Sequence, residues 1–117
     1  NVLRLYKNGN VSTAGSFTAS GNVTAYSDAR VKENIVTIDN ALEKTLALRG
    51  VYYNRTDIED KSQNTGVIAQ EIQQILPQVV SEDSNGMLSV AYGNIVGILI
   101  EAIKELKAEI DELKSQK

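Results

Sequence analysis

Neither cysteine nor histidine occurs in the 117 residues, and tryptophan is missing as well. Without thiols there are no disulfides and no cysteine nucleophile. Without imidazole, Ser-His and Cys-His catalysis are excluded, and ordinary zinc sites lose their usual ligands. Nucleophilic chemistry is left to Ser, Thr or Lys, with a Lys, a carboxylate or an amine as base. Neither a metal nor a cofactor is expected. Long apolar runs are absent too: the longest, Ile95 to Ile100, contains Gly97 and is far too short to span a bilayer, so no membrane partner is expected. A net charge of −3 does not supply the basic face that gripping nucleic acid requires. The chain has no opening Met and no signal-like stretch, and it is expected to be the C-terminal piece of a longer protein.

What is present fits one compact domain and little else. Its charge is uneven. Residues 1–26 carry Arg4 and Lys7 and no acid, for +2, which leaves −5 on residues 27–117. Two architectures are expected, meeting at Tyr26–Ser27.

The first of them contains a repeat. Gly9, Gly15 and Gly21 recur every six residues, followed at +2 by Val11, Phe17 and Val23 and at +3 by Ser12, Thr18 and Thr24. Six is a multiple of two, so on a strand all three apolar residues point to one face. One large apolar residue per hexad builds almost no core within a single chain, whereas several chains winding together would share one. Residues 1–26 therefore read as the end of an interchain β-fibre, with a flexible Gly/Ser/Thr linker as the plainer alternative. The next glycine would fall at position 27, where Ser27 stands instead.

Residues 27–117 read as an α+β domain. Asn40 and Glu43 suit a capping box for a short helix with Leu42 and Leu46 on one face, ended by Gly50. Val51-Tyr52-Tyr53 predicts a strand, residues 57–64 a polar loop, and 66–69 a second strand leading into a helix over 70–76, stopped by Pro77. Strands at 78–81 and 87–92 flank Ser84-Asn85-Gly86, a hairpin turn signal.

A long helix, capped by Asn94 and running to about Lys114, closes the pattern. Val96, Leu99, Ile103, Leu106, Ile110 and Leu113 alternate spacings of three and four, which places Val or Ile at a and Leu at d of a heptad. That choice by itself favours two strands. Ile100 at e and Ala102 at g widen the seam toward a higher order, and Glu109 and Lys114 suit pairing between parallel chains. Packing on its own domain accounts for Ile95 to Ile103 but leaves Leu106 to Leu113 uncovered, so self-association is expected.

Where repeat meets domain, the sequence reads Ser27-Asp28-Ala29-Arg30-Val31-Lys32-Glu33-Asn34-Ile35. Alone, a Ser and a Lys five residues apart mean little. The segment resembles the S-D-x-R-x-K-x-N-I signature of the peptidase S74 family, the intramolecular chaperone domains that end phage tail fibres, tailspikes and endosialidases. Residues 38–43, 66–71 and 77–80, Tyr92 and the closing helix extend the resemblance to about position 110. Val31 departs from the Leu common in the family. The resemblance implies a homotrimer that holds three chains in register while an upstream β-fibre folds. It also implies release by autoproteolysis, with Ser27 as nucleophile, Lys32 as base and Asp28, Arg30 and Asn34 as supporting motif residues. The location implied is a virion precursor made in the host cytoplasm, and the domain is shed on maturation.

The chemistry adds conditions. Lys serves as a base only when neutral, which near pH 7 requires burial or a neighbouring cation; Arg30 is the candidate cation. A five-residue separation turns about 140° on a helix and points to opposite faces of a strand. A bend, or a Lys from another subunit, is therefore required. Attack of Ser27 on the Tyr26 carbonyl passes through a five-membered ring, which favours cutting at Tyr26–Ser27. Ser27–Asp28 remains open if another chain's Ser attacks. Two non-proteolytic readings stand beside this one: a permanent trimeric cap and a receptor-binding fibre tip.

Overall fold

The computed structural model describes residues 3–116 and divides the chain into two compact units, 1–35 and 36–117. The first unit opens with an antiparallel hairpin of β1 (Leu3–Leu5) and β2 (Val11–Thr13), with Arg4 opposite Ser12. The turn is closed by the Tyr6 and Gly9 amides, which donate to Asn10 O and Tyr6 O at 2.9 and 3.0 Å. Gly9 takes φ +92° there, a conformation that glycine adopts without cost. Gly15 and Gly21 do not share it, so the three repeat glycines are not equivalent in a single chain. Val11, Phe17 and Val23 are all exposed, and residues 14–26 contain no strand.

The second unit is small and mixes helix with strand. Its elements are α1 (Ala41–Leu46), β3 (Val51–Asn54), β4 (Gln63–Gly66), α2 (Ala69–Ile75), β5 (Val80–Glu82), β6 (Leu88–Val90) and α3 (Val96–Ser115). The strands form two separate antiparallel pairs, β3 with β4 and β5 with β6. In the second pair, Asp83 Oδ1 accepts from the amides of Asn85 and Met87 at 2.8 and 2.9 Å while Gly86 takes φ +81°, the turn expected around Ser84-Asn85-Gly86. The core is α1 against α3. Ala41, Ile98 and Ala102 are buried, with Ile38, Leu42, Leu76 and Ile95 packed on them. Ile72 of α2 and Val79 are buried as well. Full burial of a side chain such as Ile72 or Ile98 contributes roughly 1.5–3 kcal/mol, so a core this small leaves the single chain thinly stabilised.

Several local expectations are corrected. The capping box does not form: Asn40 sits in the left-handed region at φ +50° and makes no side-chain cap bond. Instead Glu105 of α3 reaches across, accepting the Ala41 amide at 2.8 Å and the Leu42 amide at 3.3 Å. A carboxylate anchored on a neighbouring helix meets the orphan amides better than the local side chains do. Leu46 is exposed, so it does not share the buried face with Leu42, and α1 ends at Leu46 with Ala47 as its cap rather than at Gly50. Gln63 and Asn64 belong to β4 and not to the loop, because they complete the ladder opposite Asn54 and Tyr53. Gly66 ends that strand instead of starting one. Residues 77–79 form a 3-10 turn, set by Pro77 at its first position, before β5 begins at Val80. Asn94 lies within a 3-10 turn, Tyr92–Ile95, and Ile95 takes the cap position of α3.

Candidate active site

Ser27 precedes and Lys32 follows a single tight turn. Asp28 is extended at φ −66°, ψ 138°; Ala29–Val31 forms one 3-10 turn; Lys32 is extended again at φ −129°, ψ 147°. The turn is closed by the Val31 amide on Asp28 O and the Lys32 amide on Ala29 O, each at 3.1 Å. This is the bend that neither regular element could supply. It doubles the chain back so that Lys32 Nζ donates to Ser27 Oγ at 2.7 Å. The contact is within one chain, so the lysine reaches the serine without help from a second subunit. When the amine is neutral, the same line carries the hydroxyl proton to nitrogen, which is the geometry a general base requires.

Asp28, Arg30 and Asn34 each have a place in this turn or just after it. Asp28 Oδ1 accepts the Arg30 amide at 2.8 Å, capping the turn, and the Arg30 guanidinium grips the same carboxylate through Nε at 3.1 Å and Nη2 at 2.9 Å. That guanidinium holds the Asp28 carboxyl below the usual carboxylate range, and the carboxylate in turn raises Arg30. Arg30 is thus engaged with Asp28 and is not a free cation for Lys32, contrary to expectation. Asn34 takes φ +55°, a left-handed conformation that Asn tolerates better than most residues, and turns the chain again after Lys32. Tyr26, on the other side of Ser27, is almost wholly exposed.

The other motif residues build the globular unit. Gly66 is required by close approach: a Cβ there would lie 2.6 Å from Tyr92 Oη and 3.3 Å from Tyr53 Cε1. Tyr92 Oη in turn accepts the Val67 amide at 3.3 Å. Glu71 receives a two-pronged grip from Arg49 at 3.1 and 2.6 Å, which lowers its carboxyl from the ordinary value. Sequence reasoning missed Glu105. The signal was its spacing, since Ile98, Ala102 and Glu105 fall at +4 and +3 on one helix face.

Helix α3 has one apolar face turned inward and another exposed. Ile95, Ile98, Ala102 and Glu105 face the chain's own domain. Ala102 therefore packs inward and does not widen the seam. Val96, Leu99, Ile103, Leu106, Ile110 and Leu113 lie on another face and are 40–67 % exposed, as is Ile100 at 51 %. No helix of the described residues is long and apolar enough to cross a membrane, and no group of acidic side chains among them gathers as a metal site.

Residues 27–81 match the family model of peptidase S74, described as the chaperone of endosialidase, and the match begins at Ser27 itself. The chain belongs to this family. Among individual proteins it is similar to the long tail fiber protein Gp37 of Enterobacteria phage K3, 38% identical over 102 residues that cover 81% of this chain and 8% of that protein. Gp37 of Enterobacteria phage M1 is 35% identical over 114 residues, covering 86% and 45% respectively. Myelin regulatory factor homolog 1 of Caenorhabditis elegans is 32% identical over 116 residues, covering 91% and 12%. The chain thus spans less than half the length of these relatives.

Proposed function

We propose that the chain is the C-terminal intramolecular chaperone of a phage tail fibre, which assembles as a homotrimer, registers the upstream fibre and then cuts itself free at Ser27. The observation that carries the proteolytic part is the 2.7 Å contact between Lys32 Nζ and Ser27 Oγ, held by one capped turn where the family match begins. Kinship with Gp37 supports the fibre as client. The exposed a/d face of α3 supports self-association.

The step balances as follows. Neutral Lys32 takes the hydroxyl proton as Oγ attacks the Tyr26 carbonyl through a five-membered ring. The tetrahedral intermediate collapses, the Ser27 nitrogen leaves with the proton returned by the lysine, and the Tyr26 acyl group is now an ester on Oγ. Water hydrolyses that ester, giving one chain that ends at Tyr26 and one that begins at Ser27. Lys32 is exposed in the single chain. Covering it with a second copy would favour the neutral amine, so cutting would follow assembly. Each domain turns over once and is then lost from the maturing virion.

The role before cutting has a physical reason. Winding repetitive strands carries a high loop-closure cost, and a slip of six residues leaves the pattern nearly satisfied. A terminal trimer fixes the register. Cleavage afterwards separates the fibre from its assembly aid, which makes unfolding kinetically hard.

Expression of the chain tests this directly. Fragments of 26 and 91 residues are expected, the larger beginning at Ser27 by N-terminal sequencing. Ser27→Ala should stay whole and still associate. Lys32→Arg should also stay whole, because Arg does not become neutral at accessible pH. A wild-type chain that remains intact would favour the permanent cap, and rapid cutting of either variant would remove the dyad.

A further inference from the structure

Resting on the dyad reading, we infer that Asp28 is a positioning residue for self-cleavage: its carboxylate caps the turn that folds Lys32 onto Ser27, with Arg30 as the clamp that orients that carboxylate.

The turn has little of its own to hold it. Three residues in 3-10 geometry make few bonds of their own, and none of Ala29, Arg30 and Val31 is buried, so no packing holds them. Two backbone bonds, from the Val31 and Lys32 amides, close the turn. The third contact is Asp28 Oδ1 on the Arg30 amide at 2.8 Å, which uses a donor otherwise left to water. The guanidinium of Arg30 then meets both carboxylate oxygens, which keeps the side chain in the rotamer that caps. Asp28 touches neither Ser27 Oγ nor Lys32 Nζ among these bonds, so it acts through backbone conformation. Loss of the cap would leave both reacting groups present but would reduce the fraction of chains in which they meet.

Removing an N-cap acceptor costs about 1 kcal/mol, which corresponds to a fall of roughly fivefold in the turn population when the turn is marginal. Asp28→Ala, Asp28→Asn and Asp28→Ser change the local charge identically and differ in the cap. Asn and Ser retain a short acceptor; Ala has none. In single-turnover assays started by shifting a chain trapped unassembled in denaturant into native buffer, Asp28→Ala should cut about fivefold or more slower than Asp28→Asn and Asp28→Ser. These two should lie near each other. Sedimentation should show the same assembly for all three. If Asp28→Ala does not assemble, Asp28→Glu replaces it: the charge is kept, but the extra methylene spoils the two-residue cap, and slower cutting is again expected. Equal rates for Ala and Asn, or a wild-type rate for Glu, would overturn the positioning role while leaving the dyad intact. An uncut wild type would instead overturn the dyad reading, and this role with it.

Discussion

Asp28 is also the point at which the junction should respond to acid. Its carboxyl is lowered chiefly by the side-chain bond from Arg30, so its folded pKa lies below its unfolded one. A depressed carboxylate stabilises the turn at pH above the ordinary carboxylate range, and that contribution is lost as pH falls through the lower folded value. The pair is exposed, so its effect on global stability is small, but the turn has little else to hold it. In the uncut Ser27→Ala chain, an NMR titration should find the Arg30 amide shift steady through the ordinary Asp range and moving only below it. A midpoint at or above the ordinary value would mean that the Asp28–Arg30 grip is absent in solution. The same scale explains Gly66, which is there because the Tyr92 hydroxyl occupies the space a Cβ would need.

Among the elements, α3 carries the most consequence, because one of its apolar faces is buried and another is exposed. One face holds α1 through Ile98, Ala102 and the Glu105 carboxylate over the Ala41 and Leu42 amides. Glu105→Ala would leave those two donors without their acceptor beside a residue that is fully buried, Ala41. A loss of about 1–2 kcal/mol is expected, with Glu105→Gln intermediate because one acceptor remains. Urea unfolding at fixed protein concentration, with the cut blocked by Ser27→Ala, measures it. An unchanged midpoint for Glu105→Ala would show that the helix–helix packing alone holds α1. Since α1 and α3 are joined this way, the exposed apolar face of α3 is oriented by the globular unit rather than free to roll.

At the scale of the whole molecule, many large apolar side chains among the described residues are exposed in the single chain. Besides the apolar face of α3, Phe17, Val23, Ile35, Val36 and Met87 are at least 70 % exposed. The homotrimer proposed above would cover part of this apolar surface. Leu106→Asp with Ile110→Asp places two unpaired charges per chain in the seam, a cost of order 1–3 kcal/mol each if they become buried. Sedimentation should show association weakened at least tenfold, with cutting reduced alongside if a second copy must cover Lys32. An unchanged trimer would take α3 out of the interface.

Residue types alone determined the chemistry open to this chain. With no Cys and no His, Ser, Thr or Lys was left as nucleophile and a Lys, a carboxylate or an amine as base; the choice of Ser27 and Lys32 came from the resemblance of the motif around Ser27 to the peptidase S74 family. The strand 51–53, the 84–86 turn and the long helix were legible because each is written in local pattern: β-branched and aromatic runs, a glycine with positive φ, and apolar spacing of three and four. The tertiary structure decided what depends on residues far apart in sequence or on a single backbone turn. Spacing showed that Ser27 and Lys32 needed a bend or a Lys from another subunit, and only the three-dimensional path supplied the bend, since a 3-10 turn leaves no periodic signal. The cap of α1 lies 64 residues away on Glu105, where a rigid helix presents a carboxylate that the local candidates Asn40 and Glu43 do not match. Which apolar face of α3 turns inward was likewise settled by packing, because helical spacing identifies faces but does not say which of them a neighbouring helix will cover.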